Sequence, residues 1–333
     1  MEEIEFKKIL FYNAKPYDKI WFEPLAEKLG YELKFRSIRL DIDSVGLAYG
    51  YDAVCAFVND NIDERVVNKL AKMGVKGILM RCAGYNNVDL KAAAGKIKVL
   101  RVPSYSPEAV AEFATALLLS VNRKTHRAYV RTREFNMNIN GLMGEDLYGK
   151  TVGIIGTGKI GQAMIRIMKG FGMNIIAYDV YKNPNLDVKY VSLDEIFMES
   201  DVISLHCPLT EETKYIINED SIQKMKKGVY IINTSRGQLI RTEDLLEALK
   251  IPGRLGGVGL DVYEEEDEVF YEDKSNEVMT DEVLARLVTF PNVVVTSHQG
   301  YFTKEAMEAI ANITMENARA LFNGEELMNE VKA

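Results

Sequence analysis

The sequence predicts an α/β protein of two doubly wound parallel-sheet lobes, on three observations. Strand-like and helix-like patterns alternate along most of the chain. The strands read as continuous apolar runs, the pattern of strands covered on both faces in a parallel sheet. And 333 residues exceed one ordinary domain and suit two, each with its own core.

Taken in order, KKILFYNA (7–14) reads as strand, YDKIWFEPLAEKLG (17–30) as a helix ending at Gly30, YELKFRS as strand and DAVCAFV (52–58) as strand. IDERVVNKLAKMG follows as a helix ending at Gly74, and VKGILMR and IKVLRV as two further strands. The first hundred residues therefore form an α/β unit in their own right. Pro103 stops the last of these strands after Val102. Ser106-Pro107-Glu108 then starts a helix, with serine as N-cap and proline at the first helical position. That helix, EAVAEFATALLLSVNR, is apolar nearly all round, which predicts a connector buried between larger bodies.

The alternation resumes at Thr151 with strand 151–156, helix 159–171, strand NIIAYD (174–179), a helix near 193–199 and strand DVISLHC (201–207). It continues with helix 220–227, strand VYIINTS (229–235), helix TEDLLEALK, strand GGVGLDVY, an acidic loop and strand NVVVTSH (292–298). KEAMEAIANITMENARALF closes the pattern as an amphipathic helix ending at Asn323-Gly324. No internal repeat and no low-complexity linker interrupts it.

Composition narrows the function classes. Nearly half the residues are apolar and about a quarter charged, as in soluble globular proteins. Apolar runs such as Ala114–Leu119 stop far short of a bilayer span, and the start MEEIEFKK lacks the apolar core of a signal peptide, so a cytoplasmic setting is expected. A net charge of −8 argues against nucleic acid and anionic membranes as partners. The basic stretch NRKTHRAYVRTRE (122–134) scatters its charges around a helical pattern, as a solvated or subunit-facing helix does. Cys55, Cys82 and Cys207 are odd in number and far apart in apolar strand contexts, and read as reduced core thiols. Without H-x-x-H or C-x-x-C pairs, no metal site is expected.

The most specific local signal is TVGIIGTGKIGQAM (151–164), a strand running into Gly156, Gly158 and Gly161 in G-x-G-x-x-G spacing and then into a helix. Asp179 follows at the end of the next strand. In this context the glycines admit a pyrophosphate to the helix N-terminus and the acid can accept hydrogen bonds from ribose hydroxyls; without it they would be a turn and a surface carboxylate. The charge of Asp179 would repel a 2′-phosphate and no arginine follows it directly, so NAD is favoured over NADP.

Hydride transfer between a nicotinamide and an alcohol needs an acid/base for the hydroxyl proton and a cation for a substrate carboxylate. Open α/β sheets place ligands at strand carboxyl ends. Three candidates fit: Arg236 after VYIINTS, an acid in or after GLDVYEEE, and His298 after NVVVT. Spacing alone cannot separate Glu264, Glu265 and Glu266, and residues 264–268 by themselves read as a solvated loop. His206 reads as a core or cofactor-lining imidazole and His126 as surface or interface.

Further stretches carry a resemblance that covers nearly the whole chain: RCAGYNNVDL (81–90), VPSYSPEAVAEFA (102–114), YGKTVGIIGTGKIG, SDVISLHCPLT (200–210), NTSRGQLI, GLDVYEEE, YEDKSNE (271–277) and SHQGYFT (297–303). The chain resembles the D-2-hydroxyacid dehydrogenase family and, within it, the bacterial fermentative D-lactate dehydrogenases. The resemblance implies a flavodoxin-like substrate domain built from both chain ends, 1–101 and 299–333, with a Rossmann-type NAD-binding domain inserted at 102–298. A cleft between the two would close on the ligand and exclude water.

It further implies Arg236 on the substrate carboxylate and the C2 oxygen, a task suited to a forked guanidinium. His298 would give and take the hydroxyl proton. Glu266, five residues after Asp261, would hydrogen-bond His298 and favour its protonated form. By the same analogy the amides of Ala83 and Gly84 meet the carboxylate and Tyr105 lies beside the substrate. Lys159, Ile160, Cys207, Pro208, Thr213, Thr234, Ser235 and Asp261 join Arg236 around NAD, with Asp261 orienting the carboxamide. Tyr301 stands where the family's lactate enzymes usually carry Phe, and would add a hydroxyl near the substrate side chain.

The implied activity is NAD-dependent, reversible reduction of pyruvate to D-lactate. Two other readings stay open: a dehydrogenase for bulkier 2-hydroxy acids such as hydroxyisocaproate, phenyllactate or hydroxyglutarate, and a non-catalytic NADH-sensing module like the family's corepressors. Segment 123–148 resembles the family's dimer contact, implying a homodimer or homotetramer.

Overall fold

The computed structural model describes residues 6–266 and 269–333. Residues 1–5, and Asp267 and Glu268 of the acidic loop, lie outside the described residues. The chain divides into two compact units, one built from the chain up to Ser106 and from Thr303 onward, the other Pro107–Phe302.

In the first unit β1 (Lys7–Phe11), β2 (Tyr31–Phe35), β3 (Ala53–Ala56), β4 (Gly77–Met80) and β5 (Lys98–Leu100) form an all-parallel sheet in the order β2-β1-β3-β4-β5. AVCA and GILM are buried at every position because β3 and β4 are interior strands. YELKF alternates because β2 is an edge strand and shows one side to solvent. Helix α1 (Pro16–Leu29) starts with proline at its first turn, and Gly30 closes it in the left-handed conformation with φ 71°. Helix α2 (Glu64–Lys72) is capped by Asp63, which accepts the Val66 amide, and buries Val66, Val67 and Leu70. Helix α3 (Leu90–Ala93) is a single turn. The C-terminal helix, Lys304–Asn323, returns to this unit and packs on α1 and β4. After it, Asn329 accepts the Arg101 amide and Val331 donates to Val99, covering the free edge of β5. Buried Arg81 donates to the carbonyls of Tyr12 (3.1 Å) and Asn13 (2.8 Å) and lies 3.6 Å from Asp18, which ties the loop after β4 to the end of β1.

The second unit begins with α4 (Pro107–Arg123) and α5 (Thr125–Arg133). Its strands are β6 (Thr151–Ile155), β7 (Asn174–Tyr178), β8 (Lys189–Tyr190), β9 (Val202–Leu205), β10 (Val229–Asn233), β11 (Leu255–Leu260) and β12 (Val293–Val295). All pair in parallel, in the order β12-β11-β10-β9-β6-β7-β8. The chain builds outward from β6 to β8, then returns to β9 on the other side, so the topological switch lies between β6 and β9. Between the strands run α6 (Lys159–Gly170), α7 (Leu193–Glu199), α8 (Glu219–Lys224), α9 (Thr242–Leu249) and α10 (Glu282–Leu287).

Three local outcomes differ from the sequence reading. Helix α4, read as a connector buried between larger bodies, is buried within the second unit alone, where it packs on α6, β10 and β11 through Ala114, Leu117, Leu118 and Val121. Helix α10 lies in the stretch read as acidic loop; Asp281 caps it by accepting the Leu284 amide at 2.8 Å, and Leu284 and Leu287 are buried. Strand β8 is a two-residue edge strand, too short for any periodicity to register.

Candidate active site

The turn from β6 into α6 contains three glycines with different physical reasons. Gly156 has φ 96°, and a Cβ there would lie 2.6 Å from the His206 carbonyl and the Cys207 amide. A Cβ at Gly161 would lie 2.0 Å from the Gly156 oxygen. Both are required by the protein's own packing. Gly158 is not: its backbone (φ −64°, ψ −170°) suits any residue and a Cβ would meet nothing within 4 Å. It caps the N-terminus of α6, where the open space leaves room for a ligand against the helix amides. Asp179, just past β7, points back at this turn. Its Oδ2 accepts the Thr157 amide at 2.6 Å and the Thr157 hydroxyl at 3.0 Å, and its Oδ1 accepts the Tyr181 amide at 2.9 Å. Oδ1 keeps lone-pair capacity for a further donor.

Lys159 and Ile160 open α6. Cys207 follows β9; its carbonyl accepts the Ser235 hydroxyl at 2.6 Å, and burial pushes its thiol up to about 11, which makes it inert. Thr213 donates to the Pro208 carbonyl at 2.7 Å, so these two share one loop. Thr234 is buried at the end of β10, its hydroxyl without a partner among the described residues. His206 bonds Ser204 through Nε2 at 2.9 Å, and its Nδ1 is buried without a partner. Burial pushes that imidazole down to about 4, so it is neutral near pH 7 and cannot serve as the acid.

Arg236, Asp261 and His298 follow β10, β11 and β12, three neighbouring strands of the sheet. The Arg236 guanidinium donates to the Ser235 carbonyl at 2.8 Å, and no carboxylate pairs with it among the described residues. Its backbone is held by Asn233, whose amide nitrogen donates to the Arg236 carbonyl at 2.8 Å. A Cβ at Gly237 would lie 2.0 Å from the Tyr263 carbonyl, so this loop packs directly on the acidic loop.

Of the three adjacent carboxylates that spacing leaves open, Glu266 faces the histidine. Its Oε1 lies 2.7 Å from His298 Nδ1, and its Oε2 accepts the Tyr263 amide at 2.9 Å. Glu264 turns elsewhere, to the Tyr215 hydroxyl and the Thr242 amide. His298 and Glu266 are mostly buried, with 19 % and 17 % of their side chains exposed. Asp261 is 1 % exposed and accepts from the Thr296 hydroxyl (2.6 Å) and the amides of Gln299 (2.9 Å) and Gly300 (2.7 Å). Burial pushes its carboxyl above the usual range against the pull of these donors. It therefore sits beneath the loop that carries His298. Tyr301 follows, half-buried, with its ring 6.0 Å from that of Phe302.

Ala83 and Gly84 lie in the first unit's loop after β4, with Tyr105 at the end of that segment. Arg101 donates to the Ala83 carbonyl at 3.0 Å and the Cys82 thiol contacts the Gly84 carbonyl at 3.3 Å. The amides of Ala83 and Gly84 have no partner among the described residues. Two successive free N–H groups form a small concavity suited to an anion.

Residues 115–300 match the D-isomer specific 2-hydroxyacid dehydrogenase, NAD binding domain. The chain is 49 % identical to the D-lactate dehydrogenase of Escherichia coli (strain K12) over 97 % of its own length and 99 % of that protein. The chain belongs to the D-isomer specific 2-hydroxyacid dehydrogenase family. Its fold matches the apo structure of the Escherichia coli D-lactate dehydrogenase with a TM-score of 0.88 (47 % identity, 97 % and 99 % of the two chains). It matches the Lactobacillus jensenii D-lactate dehydrogenase solved with NAD+ with a TM-score of 0.82 (32 % identity, 98 % and 100 % covered).

As a family member the chain is an NAD-dependent enzyme, and the site fits that cofactor. Open space at Gly158, the α6 amides and the Asp179 carboxylate can take a pyrophosphate and a ribose. Among the described residues no group of three or more His, Cys, Asp and Glu is placed to hold a metal ion, and no helix is long and apolar enough to cross a membrane. The sequence reading missed Thr157, Gly237 and Tyr271 as site residues. Each lies in a quoted stretch, TVGIIGTGKIGQAM, NTSRGQLI and YEDKSNE, but its role is a contact across the chain that no motif states.

The two glycines should separate cleanly. Gly158→Ala should leave the thermal midpoint near wild type while weakening NADH binding, followed by fluorescence, by about tenfold or more. Gly161→Ala should lower the thermal midpoint itself.

Proposed function

We propose that this chain is an NAD-dependent D-lactate dehydrogenase that reduces pyruvate with NADH and runs reversibly. The observation that carries the reading is the 2.7 Å bond between His298 Nδ1 and Glu266, at a strand end next to those that deliver Asp261 and the uncompensated Arg236. The similarity to D-lactate dehydrogenases over nearly the full length supports the choice of substrate. An intact acid/base pair favours an enzyme over a sensing module.

In this reading Arg236 binds the substrate carboxylate and polarises the C2 oxygen. The Nδ1–H of His298 donates a hydrogen bond to Glu266, which leaves Nε2 as the atom that delivers a proton to the C2 oxygen of pyruvate, or takes it from lactate. Glu266, anchored by the Tyr263 amide, balances the charge of the imidazolium while it holds the tautomer. The bound nicotinamide supplies or accepts the hydride. Asp261 keeps the 296–300 loop in place beneath His298, and Tyr301 shapes the space for the substrate side chain. The second unit holds NAD.

The functional partner is thus a small 2-oxo or 2-hydroxy acid. The net charge of −8 suits neither nucleic acid nor an anionic membrane. Three free, buried thiols agree with a reducing cytoplasm. The resemblance of segment 123–148 to the family's dimer contact supports a homodimer or homotetramer, as does its exposure at Phe135 (89 %), Ile139 (78 %) and Met143 (87 %).

With a panel of 2-oxo acids, NADH oxidation should be fastest with pyruvate; no turnover with any member would refute the enzyme, and preference for a branched, aromatic or dicarboxylic acid would refute the substrate. His298→Gln should lower pyruvate reduction by about 10²–10⁴ with NADH binding unchanged. Placing Glu at 135 and 139 together should convert the oligomer to monomer in light scattering while the far-UV circular dichroism stays the same.

A further inference from the structure

We propose that Tyr271 is a positioning residue that holds His298 for proton transfer. Two contacts carry this. The Tyr271 hydroxyl donates to the His298 carbonyl at 2.9 Å, and the Tyr271 ring lies stacked beside the imidazole, with centroids 6.3 Å apart and planes inclined by 28°.

The need for such a holder is written in the backbone. His298 has φ 53°, in the left-handed region that residues with a Cβ rarely occupy. A conformation of this kind persists only where surrounding contacts over-determine it. On the amide side the contacts come from Asp261, whose carbonyl accepts the His298 N–H at 2.7 Å and whose carboxylate accepts the next two amides. At the ring, Glu266 fixes Nδ1. The carbonyl side belongs to Tyr271, which is itself left-handed at φ 68°. Two strained residues, 27 positions apart in the chain, are therefore joined by one hydrogen bond and one ring contact. Without the hydroxyl the peptide after His298 keeps its Gln299 amide bond to Asp261 but loses the hold on its carbonyl, so it can tilt further toward ordinary φ/ψ space, and Nε2 turns with it. Tyr271 touches no reacting atom in this account; it acts through His298, and the inference rests on the proposed role of that histidine.

The test is Tyr271→Phe, alone and combined with His298→Gln. The single variant keeps the ring and removes the hydroxyl. It should lower kcat for pyruvate reduction about three- to tenfold, the scale of one hydrogen bond, with KM for pyruvate, NADH binding and the thermal midpoint unchanged. In single-turnover measurements at high enzyme concentration, adding Tyr271→Phe to His298→Gln should cost nothing further, because the group it positions is gone. Wild-type turnover in His298→Gln would overturn the histidine reading itself. If His298→Gln is impaired but Tyr271→Phe is not, or if its loss persists undiminished in the double variant, the Tyr271 proposal alone is overturned.

Discussion

A parallel sheet ends all its strands on one side, and the chemistry of the second unit depends on that constraint. Strands β10, β11 and β12 are neighbours in register, so the residues that follow them, Arg236, Asp261 and His298, emerge along one edge although 62 positions separate the first from the last. The same edge carries the glycine turn after β6 at the switch in strand order. Connection order alone thus brings together the positions for a cation, an acid/base group and a dinucleotide, before any side chain is chosen.

What the side chains add is charge management. The Arg236 guanidinium has no internal carboxylate among the described residues, so its charge is available to an anionic ligand. Glu266 is used on His298, and Glu264, two residues away, is used on Tyr215 and Thr242, which ties the acidic loop down. Asp261 is buried and meets three donors of one loop, which turns a costly charge into a clamp. His206, also near the glycine turn, is kept neutral by burial. Among the described residues, His298 alone of the three histidines is bonded to a carboxylate.

Much of this was legible in the linear chain. Apolar runs marked the interior strands because parallel strands are covered on both faces, and G-x-G-x-x-G followed by Asp179 marked the nucleotide turn. Helix α10 and strand β8 were not legible, one hidden in an acidic stretch and the other only two residues long. The choice among Glu264, Glu265 and Glu266 could not be made from spacing, since neighbouring residues in a turn can point in any direction. Gly158 looked the same as Gly156 and Gly161 until the space around each was known.

Alone, then, the sequence determined the strand and helix order, the parallel character of both sheets, the nucleotide-binding turn and the candidate cation and imidazole at strand ends. These follow from local periodicity and from residue chemistry, which need no partner to be read. The tertiary structure decided which carboxylate faces His298, that Asp261 supports a loop from beneath, and that Tyr271 reaches the His298 carbonyl. Each of those is a contact between residues distant in the chain or between side chains leaving one turn in different directions. Only the packed backbone sets such directions.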